Sequence, residues 1–458
     1  MNGVGLPFKN EDGMTRFVGR HIAPEMLALL LLEVGLTFGL AYILVTPGGF
    51  DNEWHGAAAN QALVLAMTVG FTSVLLGIYR PQLFMRTRSL LVSTALGGFV
   101  AFPAAWAASL ALGMQSDWLA GTDRVWPTKI LLTWIAALFG LRLCFLVAVQ
   151  SKLFVRRVVL LDTSAAVAGA VAAIRASREG FFEVVAPPLS NSLPRSLRAA
   201  RIGTALTSVA AYDAMSVDER DDFAIAGVDL EPEPVFWERH LKRVDIDHLT
   251  PAWLAELDLK PLGRLQIAVN RAGDVAISLA LLVFTLPLML LVAVLVRLDS
   301  RGPVLYRQER VGLGGKPFVL LKFRSMNADA EARGPAWAQQ RDPRVTRIGS
   351  LMRRTRIDEL PQLMNVLRGQ MGFIGPRPER PHFVEQLAGV IPFYDERARV
   401  KPGLTGWAQV NYPYGASVED ARAKLSYDLF YVKNRSMLLD LVILFATVRV
   451  ILFQEGAR

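Results

Sequence analysis

The sequence predicts a membrane protein of mixed α and α/β class: a four-helix transmembrane bundle, a Rossmann-like α/β domain, and a mainly helical C-terminal domain that begins with a re-entrant membrane helix. Three observations carry this reading. The 458 residues are 52% hydrophobic yet 20% charged, with mean hydropathy +0.32, too apolar for an ordinary cytosolic protein and too charged for a chain that is all membrane. Four apolar stretches of membrane-spanning length fill the first third. The last third is dense in Arg, Lys, Gly and Pro. A single cysteine, Cys144, excludes an intrachain disulfide, a CxxC redox pair and a cysteine zinc site. The balance of 50 Lys+Arg against 41 Asp+Glu gives +9, which suits anionic lipid, a phosphorylated substrate or nucleic acid alike.

The four stretches run over residues 26–46, 59–79, 90–113 and 128–149. Lys9, Arg16 and Arg20 precede them, Arg80, Arg86 and Arg88 lie between the second and third, and Lys152, Arg156 and Arg157 follow the fourth. The other two loops hold Asp51 and Glu53, and Asp117 and Asp123 with Arg124, so the positive-inside rule puts both ends of the bundle in the cytoplasm. The first stretch is too long for a cleaved signal peptide and lacks a small-residue cleavage site. Glu33 and Arg142 fall inside the spans, as functional groups or as an interhelical polar contact.

After Arg157, residues 158–162 read as a strand and Ala165 to Arg175 as a helix, the opening of a βαβ unit. The turn Asp162-Thr163-Ser164-Ala165 lacks GxGxxG, which argues against a bound dinucleotide. Further strands are expected at Phe182 to Val185 and Phe223 to Val228, with a loop over 187–196. A role in dimerisation or regulation is expected for residues 155–250.

A fifth apolar stretch, Ala272 to Val296, has Arg264 and Arg271 before it and Arg297, Arg301, Arg307 and Arg310 after it. Arginine on both flanks and Pro287 at the centre predict a helix that enters the inner leaflet, bends at Pro287 and returns. The alternative is a fifth spanning helix, which would place everything after Arg297 outside.

Four clusters then stand out: Lys322 to Met326, Arg356 to Leu363, Gly375 to Pro381, and Lys401 to Trp407. Leu360, Leu363, Met364 and Leu367 recur at helical spacing before Gly369, so a short helix is expected to start just after Asp358. Asp358 then reads as an N-cap, and as a carboxylate that a helix N-terminus holds ionised, ready to attack phosphorus. With Glu359 it forms a hard-oxygen pair suited to Mg²⁺. Lys322, Arg324, Arg356, Arg377, Arg380 and Lys401 supply the positive charge that phosphoryl transfer uses. Pro376 and Pro378 stiffen the backbone that carries the Arg377 guanidinium.

Tyr306-Arg307-Gln308-Glu309-Arg310-Val311-Gly312, Lys322 to Met326, Asp342-Pro343-Arg344-Val345-Thr346-Arg347, Asp358 to Leu363, Phe373 to Pro378 and Lys401 to Val410 occur in order, and through them residues 264–453 closely resemble the bacterial sugar transferases, the monotopic phosphoglycosyl transferases. With the helices and α/β unit before them, the whole chain is similar to the large branch that initiates exopolysaccharides. The runs Arg377 to Pro381 and Tyr412 to Ser417 resemble members found beside exosortase systems. The resemblance implies a ping-pong reaction in the bacterial inner membrane, with the catalytic domain on its cytoplasmic face. Asp358 would attack the β-phosphorus of a UDP-hexose, UMP would leave, and polyprenyl phosphate would take the hexose 1-phosphate. Glu359 would assist, with Mg²⁺ at Asp358 and Glu359. Substrate contacts would come from Lys322, Arg324, Arg356, Pro376, Arg377, Pro378, Arg380, Lys401, Gly403 and Thr405, and the kink from Pro287, which here follows Leu286 rather than the family's frequent serine. The bilayer and a second copy of the chain are the expected partners, and no nucleic acid. The expected domains are 1–24, 25–150, 151–255 and 256–458, the last containing re-entrant helix 272–296. Rivals of other classes are a membrane scaffold with a silent C-terminal domain and a glycosyl transferase that releases UDP. The segment Met437 to Phe453, short of spanning length, is expected on or in the inner leaflet, with Leu438, Leu441, Val442, Phe445, Val448 and Leu452 as its docking face.

Overall fold

Long apolar runs become helices, and one of them continues through Pro103. In the computed structural model four of them, α1 (Pro24–Val45), α2 (His55–Leu75), α3 (Thr87–Ala111) and α4 (Trp126–Gln150), coincide with the four expected stretches. The described residues are 24–45, 55–75, 87–112, 126–151, 153, 155–177, 182–187, 193–249, 251–258, 263–327, 330, 342–412, 415 and 417–453. The expected segment 1–24 therefore lies outside them up to residue 23, as do Lys9, Arg16, Arg20, Asp51, Glu53, Arg80, Arg86, Asp117, Asp123, Arg124 and Lys152, whose charges set the expected orientation. Pro413, Tyr414 and Ala416 also lie outside. Among the described residues, three helices are long and apolar enough to cross a membrane: Met26–Ile43, Leu132–Val149 and Arg264–Asp299.

Neighbours in sequence pack on one another, and α4 closes back on α1. Between α1, α3 and α4 the two charges of the apolar stretches meet. Arg142 donates through Nε and Nη2 to the two oxygens of Glu33, each at 2.7 Å, and through Nη1 to Thr94 Oγ1 at 2.7 Å. Both side chains are fully buried. A second polar contact, from Trp134 Nε1 to Thr37 Oγ1 at 3.0 Å, joins the same pair of helices.

The α/β part is a four-stranded parallel sheet of order β2-β1-β3-β4, with β1 (Arg156–Leu160), β2 (Phe182–Val185), β3 (Thr204–Thr207) and β4 (Asp229–Pro232). The helices α5 (Ala165–Ser177), α6 (Leu193–Ala199) and α7 (Val217–Ala226) belong to the same unit. Val159, Leu197, Ile202, Ala205, Phe223 and Val228 form its core. Two expectations are corrected. Phe223 to Ala226 end a helix rather than open a strand, because Ser216 and Glu219 form a capping box and Gly227, at φ 70°, stops it in the left-handed conformation. The expected loop becomes helical from Leu193, while residues 188–192 lie outside the described ones. At the β1/β3 border, where strand order reverses, Asp162 accepts from Ser164 N at 2.9 Å, Ser208 N at 2.6 Å and Thr207 Oγ1 at 3.1 Å. Burial opposes its ionisation, yet these donors hold its pKa down at about 2. An anion thus occupies the crevice where a Rossmann unit would take a phosphate.

The chain divides into Met1–Glu233 and Pro234–Arg458. The second unit begins before the expected boundary at 256, because Val244, Ile246 and Trp253 share a core with Leu425, Leu429 and Ile443. Trp407 Nε1 also donates to Lys242 O at 2.9 Å, and the Ser426 hydroxyl donates to Val244 O. The fifth apolar stretch lies inside α8 (Arg264–Asp299), a 36-residue helix that is uninterrupted through Pro287. Near its start Arg271 donates to Val366 O and Leu367 O, both at 2.7 Å, and Asp274 accepts from Phe373 N at 2.8 Å. Near its end Val292 and Val296 pack with Phe323 and Met352. Between these anchors Leu279, Val283, Phe284, Leu290 and Leu291 are exposed.

A hairpin of β5 (Leu305–Val311) and β6 (Pro317–Phe323) follows, then α9 (Arg347–Thr355), α10 (Leu363–Leu367), the parallel pair β7 (Gly372–Ile374) and β8 (Gly403–Thr405), α11 (Val418–Asn434) and α12 (Met437–Phe453). Among the described side chains of α12, Leu439, Ile443 and Ala446 are buried, while of the expected docking face Leu438, Leu441 and Val442 are half buried. The side chains of Phe445, Val448 and Leu452 lie outside the described residues.

The buried pair between α1 and α4 generates a first prediction. Glu33→Leu leaves an unmatched guanidinium and should cost about 3 kcal/mol, whereas Glu33→Leu with Arg142→Met should recover most of that loss. Thermal unfolding of the purified protein in detergent measures both. Single variants as stable as the parent would show that the pair does not fasten these helices.

Candidate active site

Three separate segments build the site. The first runs from α9 through Arg356 into a 3₁₀ turn, Ile357–Gln362, and on into α10. Arg356 adopts φ 59°, a left-handed conformation rare for a residue with a Cβ, and so ends α9 and redirects the chain. Asp358 and Glu359 follow inside the 3₁₀ turn. The expected helix start is corrected here: the cap position belongs to Arg356, without a side-chain cap bond, and Asp358 caps nothing.

The second segment is β6, which brings in Lys322. Fully buried Asn365 staples it to α10, accepting from Leu321 N at 3.0 Å and donating to Val319 O at 2.7 Å. The third is Gly375 to Glu379, between β7 and β8. A Cβ on Gly375 would lie 2.3 Å from Lys401 O, and one on Gly403 would lie 2.1 Å from Gly375 N, so only glycine lets the two backbones touch.

Together they surround Glu359. Arg377 Nη2 donates to its Oε1 at 2.8 Å, Lys322 Nζ lies 3.5 Å from the same oxygen, and Arg356 Nη1 lies 3.7 Å from Oε2. Burial opposes ionisation of Glu359, but Arg377, Lys322 and Arg356 outweigh it and hold the pKa well below the ordinary carboxylate range. Asp358 differs. It is buried, accepts no hydrogen bond from the described residues, and faces a cavity of about 420 Å³. Burial, then the charge of Glu359, raises its pKa against the pull of Lys322, Arg353 and Arg377. The raised pKa runs against the expectation that a helix N-terminus holds it ionised; Lys322, Arg353 and Arg377 only limit the rise.

Of the expected contact residues, Lys322, Arg324, Arg356, Arg377 and Arg380 line this cavity with Asp358. Arg324 is spent elsewhere: its Nη1 donates to Arg301 O at 2.8 Å and its Nη2 to Ser300 O at 2.7 Å, closing the end of α8. Pro376, Pro378, Lys401, Gly403 and Thr405 are not among the lining residues. Pro376 O accepts from Gly403 N at 2.9 Å, Pro378 O accepts from Arg310 at 3.0 Å, and the Thr405 hydroxyl meets that of Thr447 on α12 at 2.6 Å. These five build the frame of the site. The lining also includes Arg310, Arg353, Tyr394, Arg397 and Asp428, which the reading of clusters did not single out as contacts.

Among the described residues, Asp358 offers a carboxylate without a hydrogen-bond donor, and Glu359 a second oxygen, Oε2, with Arg356 Nη1 at 3.7 Å. No group of three His, Cys, Asp or Glu gathers among the described residues. That donor set fits Mg²⁺, which usually takes one or two carboxylates and completes its shell with water and substrate phosphate.

Residues 265–454 match the model of the family described as bacterial sugar transferase. The UDP-N-acetylgalactosamine-undecaprenyl-phosphate N-acetylgalactosaminephosphotransferase of Aeromonas hydrophila is 42% identical over 265 residues, 54% of this chain and 60% of that protein. The exopolysaccharide production protein PSS of Rhizobium leguminosarum bv. phaseoli is 42% identical over 193 residues, 40% of this chain and 95% of that protein. The UDP-glucose:undecaprenyl-phosphate glucose-1-phosphate transferase of Caulobacter vibrioides is 42% identical over 207 residues, 44% of this chain and 78% of that protein.

Lys322 supplies a test that needs no substrate. Burial brings its pKa down to about 8, with Glu359 as the main charge resisting the fall. The amine is therefore protonated below that pH and neutral above it. Competitive acetylation at a series of pH values, read by mass spectrometry, should give a midpoint near 8 for Lys322, and a lower one in Glu359→Gln. A midpoint near that of ordinary lysines would contradict the burial of the amine, and an unchanged midpoint in Glu359→Gln would contradict the pair.

Proposed function

Because the chain belongs to the bacterial sugar transferase family, we propose that it moves hexose 1-phosphate from a UDP-hexose to a polyprenyl phosphate, releasing UMP, as the first membrane step of exopolysaccharide assembly. One observation carries the mechanism: of two adjacent buried carboxylates, Glu359 is held by three cations and Asp358 is open to the cavity. A carboxylate oxygen of Asp358 attacks the β-phosphorus. The new O–P bond forms as the bond to UMP breaks, leaving the sugar phosphate on Asp358. An oxygen of the polyprenyl phosphate then attacks the same phosphorus and the carboxylate departs, giving the lipid diphosphate sugar. Lys322 and Arg377 face the phosphoryl oxygens, where charge grows, and Arg310 and Arg380 line the cavity beside them. Mg²⁺, held by Asp358 and Glu359, would add charge neutralisation at the diphosphate.

The acceptor keeps its tail in the bilayer, so the site works beside it. Two features support a re-entrant α8 with its domain on the cytoplasmic face of the inner membrane. Straight, its 36 residues would measure about 54 Å against a hydrocarbon core of about 30 Å. Yet residues near both ends dock on one unit, Arg271 and Asp274 on residues 366–373 and Val296 on Phe323 and Met352. Pro287 and the Thr285 hydroxyl, which donates to Leu281 O at 2.7 Å, supply two causes of bending at the exposed apolar middle. α12, with Leu439, Ile443 and Ala446 buried and Leu438, Leu441 and Leu444 only half buried, serves as a second contact with the inner leaflet.

Asp358→Asn should abolish UMP release from a panel including UDP-glucose and UDP-N-acetylgalactosamine, and should leave the protein without the covalent phosphosugar that the parent accumulates when acceptor is withheld. Near-normal turnover would remove Asp358 as nucleophile. Release of UDP instead of UMP would replace the reaction class.

Cysteines placed singly at Ser300 and Ser436, in a Cys144→Ser background, should resist a membrane-impermeant thiol reagent in intact cells and react after lysis. Labelling of Ser300→Cys from outside would establish a spanning α8.

A further inference from the structure

The segment Pro376-Arg377-Pro378 contains a single backbone N–H, because proline has none. Its backbone is therefore fixed in place mainly through its carbonyls. The structure uses all of them and the next: Pro376 O accepts from Gly403 N at 2.9 Å, Arg377 O from Arg397 Nη2 at 3.0 Å, Pro378 O from Arg310 Nη1 at 3.0 Å, and Glu379 O from Val311 N at 2.9 Å. Arg397 is itself immobilised. Its Nη2 also donates to Asp428 Oδ2 at 2.7 Å, on α11, and its Nη1 donates to the Tyr394 hydroxyl at 2.8 Å. Asp428 is fully buried. Burial raises its pKa to about 6 even against the attraction of Arg397, so the ion pair is retained at neutral pH.

Resting on the proposed reaction, we propose that Arg397, locked by Asp428 and Tyr394, is a positioning residue: it grips the backbone of Arg377 so that the Arg377 side chain is aimed at Glu359 and the phosphates. Both terminal nitrogens of Arg397 are committed to protein acceptors, which separates it from the cations that await a ligand. The line of force runs from α11 through Asp428 and Arg397 to Arg377 O, and from the Arg377 guanidinium to Glu359 Oε1 at 2.8 Å. A guanidinium is required, since it bridges three acceptors in fixed directions and a lysine cannot.

Arg397→Lys keeps a charge opposite Asp428 and removes the bridge. It should lower kcat about tenfold with KM for the UDP-sugar nearly constant. In an Arg377→Lys background the same change should cost less than about twofold, because the residue it positions is already gone. Equal losses in both backgrounds, or a loss confined to KM, would overturn the proposal. Hydrogen exchange of the full-length protein in detergent gives a readout independent of turnover. Peptides covering residues 372–380 should exchange about tenfold faster in Arg397→Lys and at the parent rate in Arg377→Lys; unchanged exchange in Arg397→Lys would equally overturn it. A parent protein inactive on every UDP-sugar would sink the proposed reaction while leaving this exchange result to decide the brace. Should Arg397→Lys fail to fold, Tyr394→Phe, which removes only the orienting hydroxyl, is carried through both measurements with the same expected directions.

Discussion

Two carboxylates next to each other in sequence, both buried, pose the problem that the C-terminal unit solves. Left alone, like charges at such a separation in a poorly polarisable interior cannot both ionise, and one would take up a proton. Three cations from three segments assign the charge instead. Lys322 comes from the hairpin, Arg377 from the loop between β7 and β8, and Arg356 from the left-handed corner before the 3₁₀ turn. All three converge on Glu359, so Asp358 keeps a raised basicity and an open face. A carboxylate that is basic and accepts no hydrogen bond from the described residues is the form that the proposed attack on phosphorus requires.

That solution makes demands on the frame. The Asn365 staple holds β6 to α10, and with it the distance from Lys322 to Glu359. Glycines 375 and 403 let β7 and β8 approach closely enough to launch the proline-flanked loop. Arg271 and Arg324 spend their donors on carbonyls at the ends of α10 and α8, and so tie the long apolar helix to the segment that bears the acidic pair. Arginine thus serves two ends in one fold. Some guanidiniums face the cavity, and others replace donors that the backbone lacks.

The split between these roles explains what the sequence disclosed. Apolar length located α1 to α4 and α8, and motif order located the acidic pair and Lys322, since those signals are local. Strand β3 escaped because four buried residues, Thr204 to Thr207, leave no periodicity to read. Phe223 misled because its hydrophobic neighbourhood resembled a strand, although the Ser216 and Glu219 box and Gly227 spelled a helix. Gly403 and Thr405 stand within a motif, yet they hold the backbone at Pro376 and meet α12, and a motif does not separate contact from support. Arg397 and Asp428 are 31 residues apart on different elements, a pairing that no spacing rule announces.

Support and contact meet in the last helix. Thr447 on α12 touches Thr405 at the end of β8, β8 pairs with β7, and their loop carries Arg377 to Glu359. The buried stripe of Leu439, Ile443 and Ala446 fixes α12 against the core, so its remaining apolar surface cannot turn inward. A helix as apolar as α12, with Met437 exposed and its other described side chains outside that stripe half buried, is stable where lipid covers what the core leaves open. The same logic holds for the exposed middle of α8. On this reading both helices meet the bilayer from the unit that carries Asp358, and the acceptor phosphate reaches the carboxylate without its tail leaving hydrocarbon.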